Sequence, residues 1–259
     1  MSTPRLSISV DLEPQGQISG VLSRESLEST ARRLIDLLSG QHRGVTWVAA
    51  DPASSKVIGW AIDANCGHEA ALLIAGDWSG QENGRCRFAA ETLRRKRAAE
   101  QAGIRLTTLA TQGGVPRERL EFLVRQGISA IRCDEPLFAK RSKSIAAAGG
   151  VASLRYGLWQ ITAALRWSGG GWFAEHLNGQ RICRAIDRSI STNSAAHLVI
   201  NAPQLAMRSP ATFNGLSRIL RHIERRERDG LQVGTIAESI AQLMPPPAAR
   251  SARSVLRAA

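Results

Sequence analysis

The sequence predicts an α/β protein on a parallel sheet, either open or closed into a barrel. Short apolar runs alternate with amphipathic helical patterns along most of the 259 residues. The connections between them are short, and glycines or prolines mark the helix ends, which is the rhythm of βα units. Hydrophobic residues make up 43% of the chain and charged residues 22%, enough apolar material for a core and too little charge for disorder.

The elements follow in order. Residues 6–10 form a strand that runs into Asp11-Leu12-Glu13-Pro14. Ser23 caps a helix in which Leu27, Leu34 and Leu38 recur at helical spacing until Gly40. A strand over 45–49, a short helix within 54–65 and a strand over 69–74 come next. The helix over 88–102 sets Phe88, Leu93, Ala98 and Ala99 on one side, with Arg94 to Arg97 largely on the other. Gly103 ends it, and residues 104–109 read as a strand. Pro116 opens a helix over 117–126, Gly127 stops it, and 128–131 is a strand. Residues 139–175 carry Gly149-Gly150 and Gly169-Gly170-Gly171 with Trp159, Trp167 and Trp172, so strands and long loops are expected there rather than helices. A strand over 197–201, a long helix over 210–228 and a strand over 231–233 restore the rhythm. Thr235 and Glu238 make a capping box for a closing helix through Leu243. The expectation is one domain over 1–243 with about seven strand–helix units, followed by a frayed Pro/Ala/Arg tail over 244–259.

Several function classes fall away on composition. The apolar run 70–75 is far shorter than the ~18 residues of a membrane span. The first residues lack the apolar stretch of a secretory signal, and Cys66, Cys86, Cys133 and Cys183 show no Cys-x-x-Cys spacing. A cytoplasmic protein with reduced thiols is expected. The net charge is +12, with arginine greatly exceeding lysine. Its clusters, 94–97 and 221–228, lie in helical patterns interleaved with glutamate, the pattern of a solvated face. An anionic partner is the other reading, but nucleic acid is not expected despite the charge. No Gly-x-Gly-x-x-Gly, P-loop or Gly-x-Ser-x-Gly sequence supports nucleotide binding or a serine hydrolase.

In parallel α/β folds the working residues sit where strands end. Four places qualify: Asp11-Leu12-Glu13; the stretch from Cys66-Gly67-His68-Glu69 to Asp77-Trp78; Arg132-Cys133-Asp134; and His197 to Pro203 around Asn201. Trp159, Trp167 and Trp172 serve either as core or as the lining of a sugar cleft.

In this order and spacing the chain resembles the polysaccharide deacetylase (NodB-homology) family. The stretches Thr212-Phe213-Asn214-Gly215-Leu216 and Leu231-Gln232-Val233-Gly234-Thr235-Ile236 look like the family's last helix, strand and helix start. The resemblance implies a distorted (β/α) barrel and metal-dependent removal of acetyl groups from N-acetylated sugars. It implies Asp11 as the catalytic base and Arg132 as the residue that orients it. Glu13 lies near the place of the metal-binding acid, and His68-Glu69 resembles the opening of the second motif. The two metal-binding histidines that should follow are Leu73 and Asp77 here, and the usual proline of the third motif is Asp134. The late histidine that acts as general acid is not found around Asn201. Leucine cannot ligate, so a site built from Glu13 and Asp77 would hold a divalent metal weakly, Mg or Mn rather than Zn, if it holds one at all. His68, Trp78 and Asn201 are the further binding positions. The implied partner is a carbohydrate or an N-acetylated small molecule. Two readings follow: a divergent deacetylase-like hydrolase of a non-peptide C–N bond, or an inactive barrel that serves as a binding or scaffold module.

Overall fold

A computed structural model describes residues 3–13, 23–40, 43–64, 66–74, 84–111, 115, 117–134, 150–167, 172–208 and 211–243. The first half alternates strictly: β1 (Arg5–Asp11), α1 (Arg24–Ser39), β2 (Thr46–Ala49), α2 (Lys56–Asp63), β3 (Glu69–Ile74), α3 (Gly84–Gln101), β4 (Thr108–Thr111), α4 (Leu120–Arg125) and β5 (Ala130–Cys133). Three short strands follow, β6 (Val151–Ser153), β7 (Trp159–Thr162) and β8 (Leu165–Trp167). The chain then continues through α5 (Trp172–Ser191), β9 (Ala195–Asn201), α6 (Ala202–Ala206), α7 (Ala211–Arg228), β10 (Gln232–Gly234) and α8 (Ile236–Ala241).

The strands form one sheet in the order β6-β7-β5-β4-β3-β2-β1-β9-β8, with β10 added beside the start of β1. All pairings are parallel except β6 with β7. The sheet curls into a half-barrel of the (β/α) type. Side-chain alternation, with a period of two, gives each strand two fates. Leu6, Ile8 and Val10 of β1 join Trp47, Leu72, Leu198 and Ile200 in the main core beneath the helices. Ser7, Ser9 and Asp11, the intervening residues, face the inside of the curl, where their polar partners lie.

The N-terminal end of the barrel is plugged by α8. Ile236 and Ile240 pack on Ala130 and Ile161. The capping box of Thr235 and Glu238 is formed as the sequence predicts. The carboxylate of Glu69 accepts hydrogen bonds from the hydroxyls of Thr46 (2.8 Å) and Thr108 and from the Ala237 N–H (3.0 Å) at the start of α8. Burial raises the Glu69 carboxyl above its ordinary range, and those hydrogen bonds oppose the rise.

Three expectations need correction. Residues 172–175 open the long helix α5 rather than belonging to strands and loops. The strand expected over 104–109 is laddered at Thr108–Thr111, and that over 128–131 at Ala130–Cys133. Ile104, Leu106 and Ile128 are buried outside the ladders, so their apolar character reports burial and not strand pairing. The tail over 244–259 lies outside the described residues.

Candidate functional site

The C-terminal ends of β1, β5, β8 and β9 bring a chain of polar side chains into the barrel. Asp11 ends β1 and is paired in register with Asn201 at the end of β9. Arg132 reaches from β5 across the interior. Its Nη1 donates to Asp11 Oδ1 and to Ser9 Oγ (2.9 Å), and its Nη2 donates to Asp11 Oδ2 (3.1 Å). The pair is almost wholly excluded from solvent, with side-chain exposures of 0% for Arg132 and 1% for Asp11. A charge buried without a partner would cost several kcal/mol, so each residue makes the other tolerable there.

Ser9 extends the chain to His197, whose Nε2 lies 3.1 Å from Ser9 Oγ and whose Nδ1 lies 2.8 Å from Ser7 Oγ. A neutral imidazole offers one donor and one acceptor, which satisfies both hydroxyls. Burial lowers the His197 pKa well below its ordinary value, and the positive charges of Arg132 and Arg166 push the same way. At the mouth, Arg166 of β8 pairs with Asp134, which follows β5; their side chains are 32% and 25% exposed. Burial raises the Asp134 carboxyl, against the pull of Arg166 and Arg132. This pair spans from β8 to the strand that neighbours β7, so it bridges the two sides of the open curl.

The predicted residues separate into groups. Asp11 and Arg132 come together as the resemblance implies, and Asn201 lies beside them. Asn201, however, caps α6, its Oδ1 accepting from the Gln204 N–H (2.9 Å). Glu13 accepts from the Ala50 N–H (3.3 Å). His68 is placed at the opposite end of the sheet, before β3. There its Nδ1 accepts from the Val45 N–H (3.1 Å), its Nε2 meets Ser39 Oγ (3.2 Å), and its ring packs edge-on against Trp47. Burial lowers its pKa. Asp77 and Trp78 lie outside the described residues. Of the tryptophans expected in core or cleft, Trp167 is fully buried.

Among the described residues, the donor set lacks the imidazole pair that the resemblance implies for a metal. Leu73 faces into the barrel at 4% exposure and packs with Val48, Ala71 and Ala110. Among the described residues, no group of three His, Cys, Asp or Glu side chains could hold a metal ion. The two acids nearest the implied position are engaged elsewhere, Asp11 by Arg132 and Glu13 by the β2 end. Ser9, His197, Asp134 and Arg166 were not singled out by motif as a connected set. The available signal was parity: His197 and Asn201 lie four apart on one strand face, and Arg166 sits between buried Leu165 and Trp167.

This architecture is a (β/α) barrel fold shared with solved polysaccharide deacetylases. Among solved structures, the chain is similar to a protein from Mycobacterium smegmatis assigned to the polysaccharide deacetylases. The TM-score is 0.66 at 14% identity, over 95% of this chain and 93% of that one. It is also similar to the Puue allantoinase, with a TM-score of 0.64 at 15% identity over 92% and 89% of the two chains. A mutant of a CE4 family pseudoenzyme matches with a TM-score of 0.52 at 10% identity over 92% and 67%. No family model and no curated protein matches the chain. At these identities the likeness is one of fold. No described helix is long and apolar enough to cross a membrane.

Proposed function

We propose that the chain is a divergent polysaccharide-deacetylase-like barrel that binds a carbohydrate or an N-acetylated small molecule at its mouth without hydrolysing it in the family's metal-dependent way. The carrying observation is the dryness of the Asp11–Arg132 pair, since the pairing alone is what the resemblance implies for an oriented base. A general base must reach the proton it removes, whereas both oxygens of Asp11 accept from a guanidinium in a place water does not reach. Leu73 in its apolar cluster supports the same reading, because it stands where the resemblance implies a metal-binding histidine. The Asp134–Arg166 pair sets an acceptor beside a donor at a part-exposed position, an arrangement that suits adjacent sugar hydroxyls. The likeness to a CE4 family pseudoenzyme is compatible with such a role.

Calorimetric titration with N-acetylglucosamine oligomers, run beside an acetate-release assay with added Zn, Mg or Mn, tests this reading. Binding without acetate release is expected, weakened by Asp134→Asn with Arg166→Gln. Acetate release that Asp11→Asn abolishes would instead establish a working hydrolase.

A further inference from the structure

The basic residues of this chain fall into two populations. On α3 the run 94–97 is largely neutralised within its own helix, since Arg94 and Arg95 pair with Glu91 and Lys96 pairs with Glu100. On α5 and α7 the acids are engaged instead by the interior and by each other's helix. Glu175 accepts from Thr212 Oγ1 (2.7 Å), Asp187 accepts from His222 (2.9 Å) and Arg226 (2.7 Å), and Glu227 pairs with buried Arg43. Glu224 is the exception, paired with Arg228 of its own helix. The Glu175 and Asp187 contacts also hold the two helices side by side.

The exposed positions are left to arginine. Arg181, Arg184 and Arg188 follow one another at spacings of three and four on α5, and Arg218, Arg221, Arg225 and Arg228 do the same on α7. Such spacing puts each set on one stripe. By whole-residue exposure every exposed Asp, Glu, Lys or Arg described on either helix is one of these arginines, while the part-exposed carboxylates of Asp187 and Glu224 are paired with basic side chains. The α7 stripe alone extends roughly 15 Å, at 1.5 Å per residue.

Three cavities join the stripes into a strip. The first, of ≈ 480 Å³, lies between the helices and is lined by His176, Gln180, Asn214 and Arg218. Gln180 also lines a second of ≈ 550 Å³ beside the α5 arginines, with Thr192 and Ser194. Arg218 also lines a third of ≈ 420 Å³ beside Arg221, Arg225, Arg228 and Glu224, whose carboxylate pairs with Arg228. The strip thus sets amides and hydroxyls between guanidinium groups, together with the exposed Leu177, and its described aromatic lining residue, Trp167 in the first cavity, is fully buried.

We infer that the α5–α7 face binds an acidic polysaccharide, a chain of hydroxyl-rich rings bearing carboxylates. Guanidinium forks take carboxylates in bidentate fashion, and the amides and hydroxyls between them suit ring hydroxyls. A single-stranded nucleic acid would call for aromatic rings on which bases stack, and the described face offers none. This surface lies outside the barrel, and the inference does not rest on what the barrel mouth binds.

The test uses the full chain and fluorescence titration with polygalacturonate, neutral dextran of equal length, duplex DNA, and phosphatidylserine vesicles at matched ionic strength. Polygalacturonate should bind best and dextran not at all, with affinity falling as salt rises. The variant Arg218→Gln/Arg221→Gln/Arg225→Gln should bind polygalacturonate at least ~10-fold more weakly and with a log–log salt slope shallower by about 2, as lost ionic contacts dictate. The control Arg94→Gln/Arg97→Gln should bind within about twofold of wild type, because charge alone acts weakly at a distance under screening. All five α7 and α3 changes are at exposed or paired surface positions, and unchanged thermal midpoints will verify folding. Equal losses in the α3 and α7 variants, or tighter binding of duplex or vesicles than of polygalacturonate, would overturn the inference.

Discussion

Replacing Asp11 by Asn removes one charge and leaves the Arg132 guanidinium, with 0% side-chain exposure, without its counterion. Breaking a buried pair from one side costs about 3–5 kcal/mol, because the remaining charge cannot be solvated. At ~2–4 °C per kcal/mol for a chain near this size, the thermal midpoint should fall by about 10 °C. Arg132→Met alone should cost a similar amount, because it abandons the carboxylate of Asp11 in the same dry interior. The double variant Asp11→Leu/Arg132→Met leaves no charge behind and should recover most of the loss. Urea unfolding followed by tryptophan fluorescence reads all three variants, with the slope m checking that the denatured state is unchanged. An Asp11→Asn protein within about 1 kcal/mol of wild type would refute the reasoning, since a structural pair this deep cannot be that cheap to break. It would mean that Asp11 is hydrated and available as a base.

Two further outcomes follow from the same packing. The His197 pKa is depressed in the folded chain, so the unfolded chain binds its proton more readily. Stability should therefore be intact above the ordinary histidine value and decline by up to ~1.4 kcal/mol per pH unit below about pH 6.5. Glu69 and Asp134, raised by burial, act with the opposite sign; the measurement is thus the difference in urea midpoint between wild type and His197→Gln from pH 7 to 5, and a pH-independent difference would contradict the buried neutral imidazole. Gly215→Ala would set a Cβ 2.7 Å from two atoms of the Trp167 ring, whereas at Gly179 the same ring is 3.8 Å away. The first should destabilise by ~1–3 kcal/mol and the second should stabilise by ~0.5–1 kcal/mol through helix propensity; calorimetric midpoints that shift alike would show that α7 does not rest on Trp167.

The βα rhythm was legible because most elements carry their own signals. Strand β3 runs over Glu69–Ile74 as its apolar pattern predicts, and the Thr235–Glu238 box forms as written. The start of α5 was not legible, because glycines and tryptophans precede it and Gly179 interrupts it. Yet Ile182, Ile186 and Ser189 are buried at helical spacing, so tertiary packing carries a helix that Gly179 weakens locally. At the candidate site, order along the chain was enough to bring Asp11 and Arg132 together. It could not indicate that their pairing would be dry, because burial depends on Leu73, Val48, Ala71 and Ala110 meeting from three other strands. Arg166 was harder still: its partner Asp134 is 32 residues away and lies across the gap in the curl.

The position of β1 has a consequence for how the chain is made. One of its flanks pairs with β9 along its whole length, Arg5 with Ala195 through to Asp11 with Asn201, and its first residues also pair with β10. A ribosome therefore finishes this interior strand first and supplies two of its three neighbours, β9 and β10, last. Until residues 195–234 emerge, β1 can pair only with β2, through Ser9 to Asp11, and its other edge stays open to any strand that passes. Closure of such distant partners is slow, and an unpaired apolar edge invites other chains. Nascent chains stalled before Ala195 should accordingly be chaperone clients rather than small folded domains, and arrest peptides placed along the gene should register a pulling force only once β9 has cleared the exit tunnel.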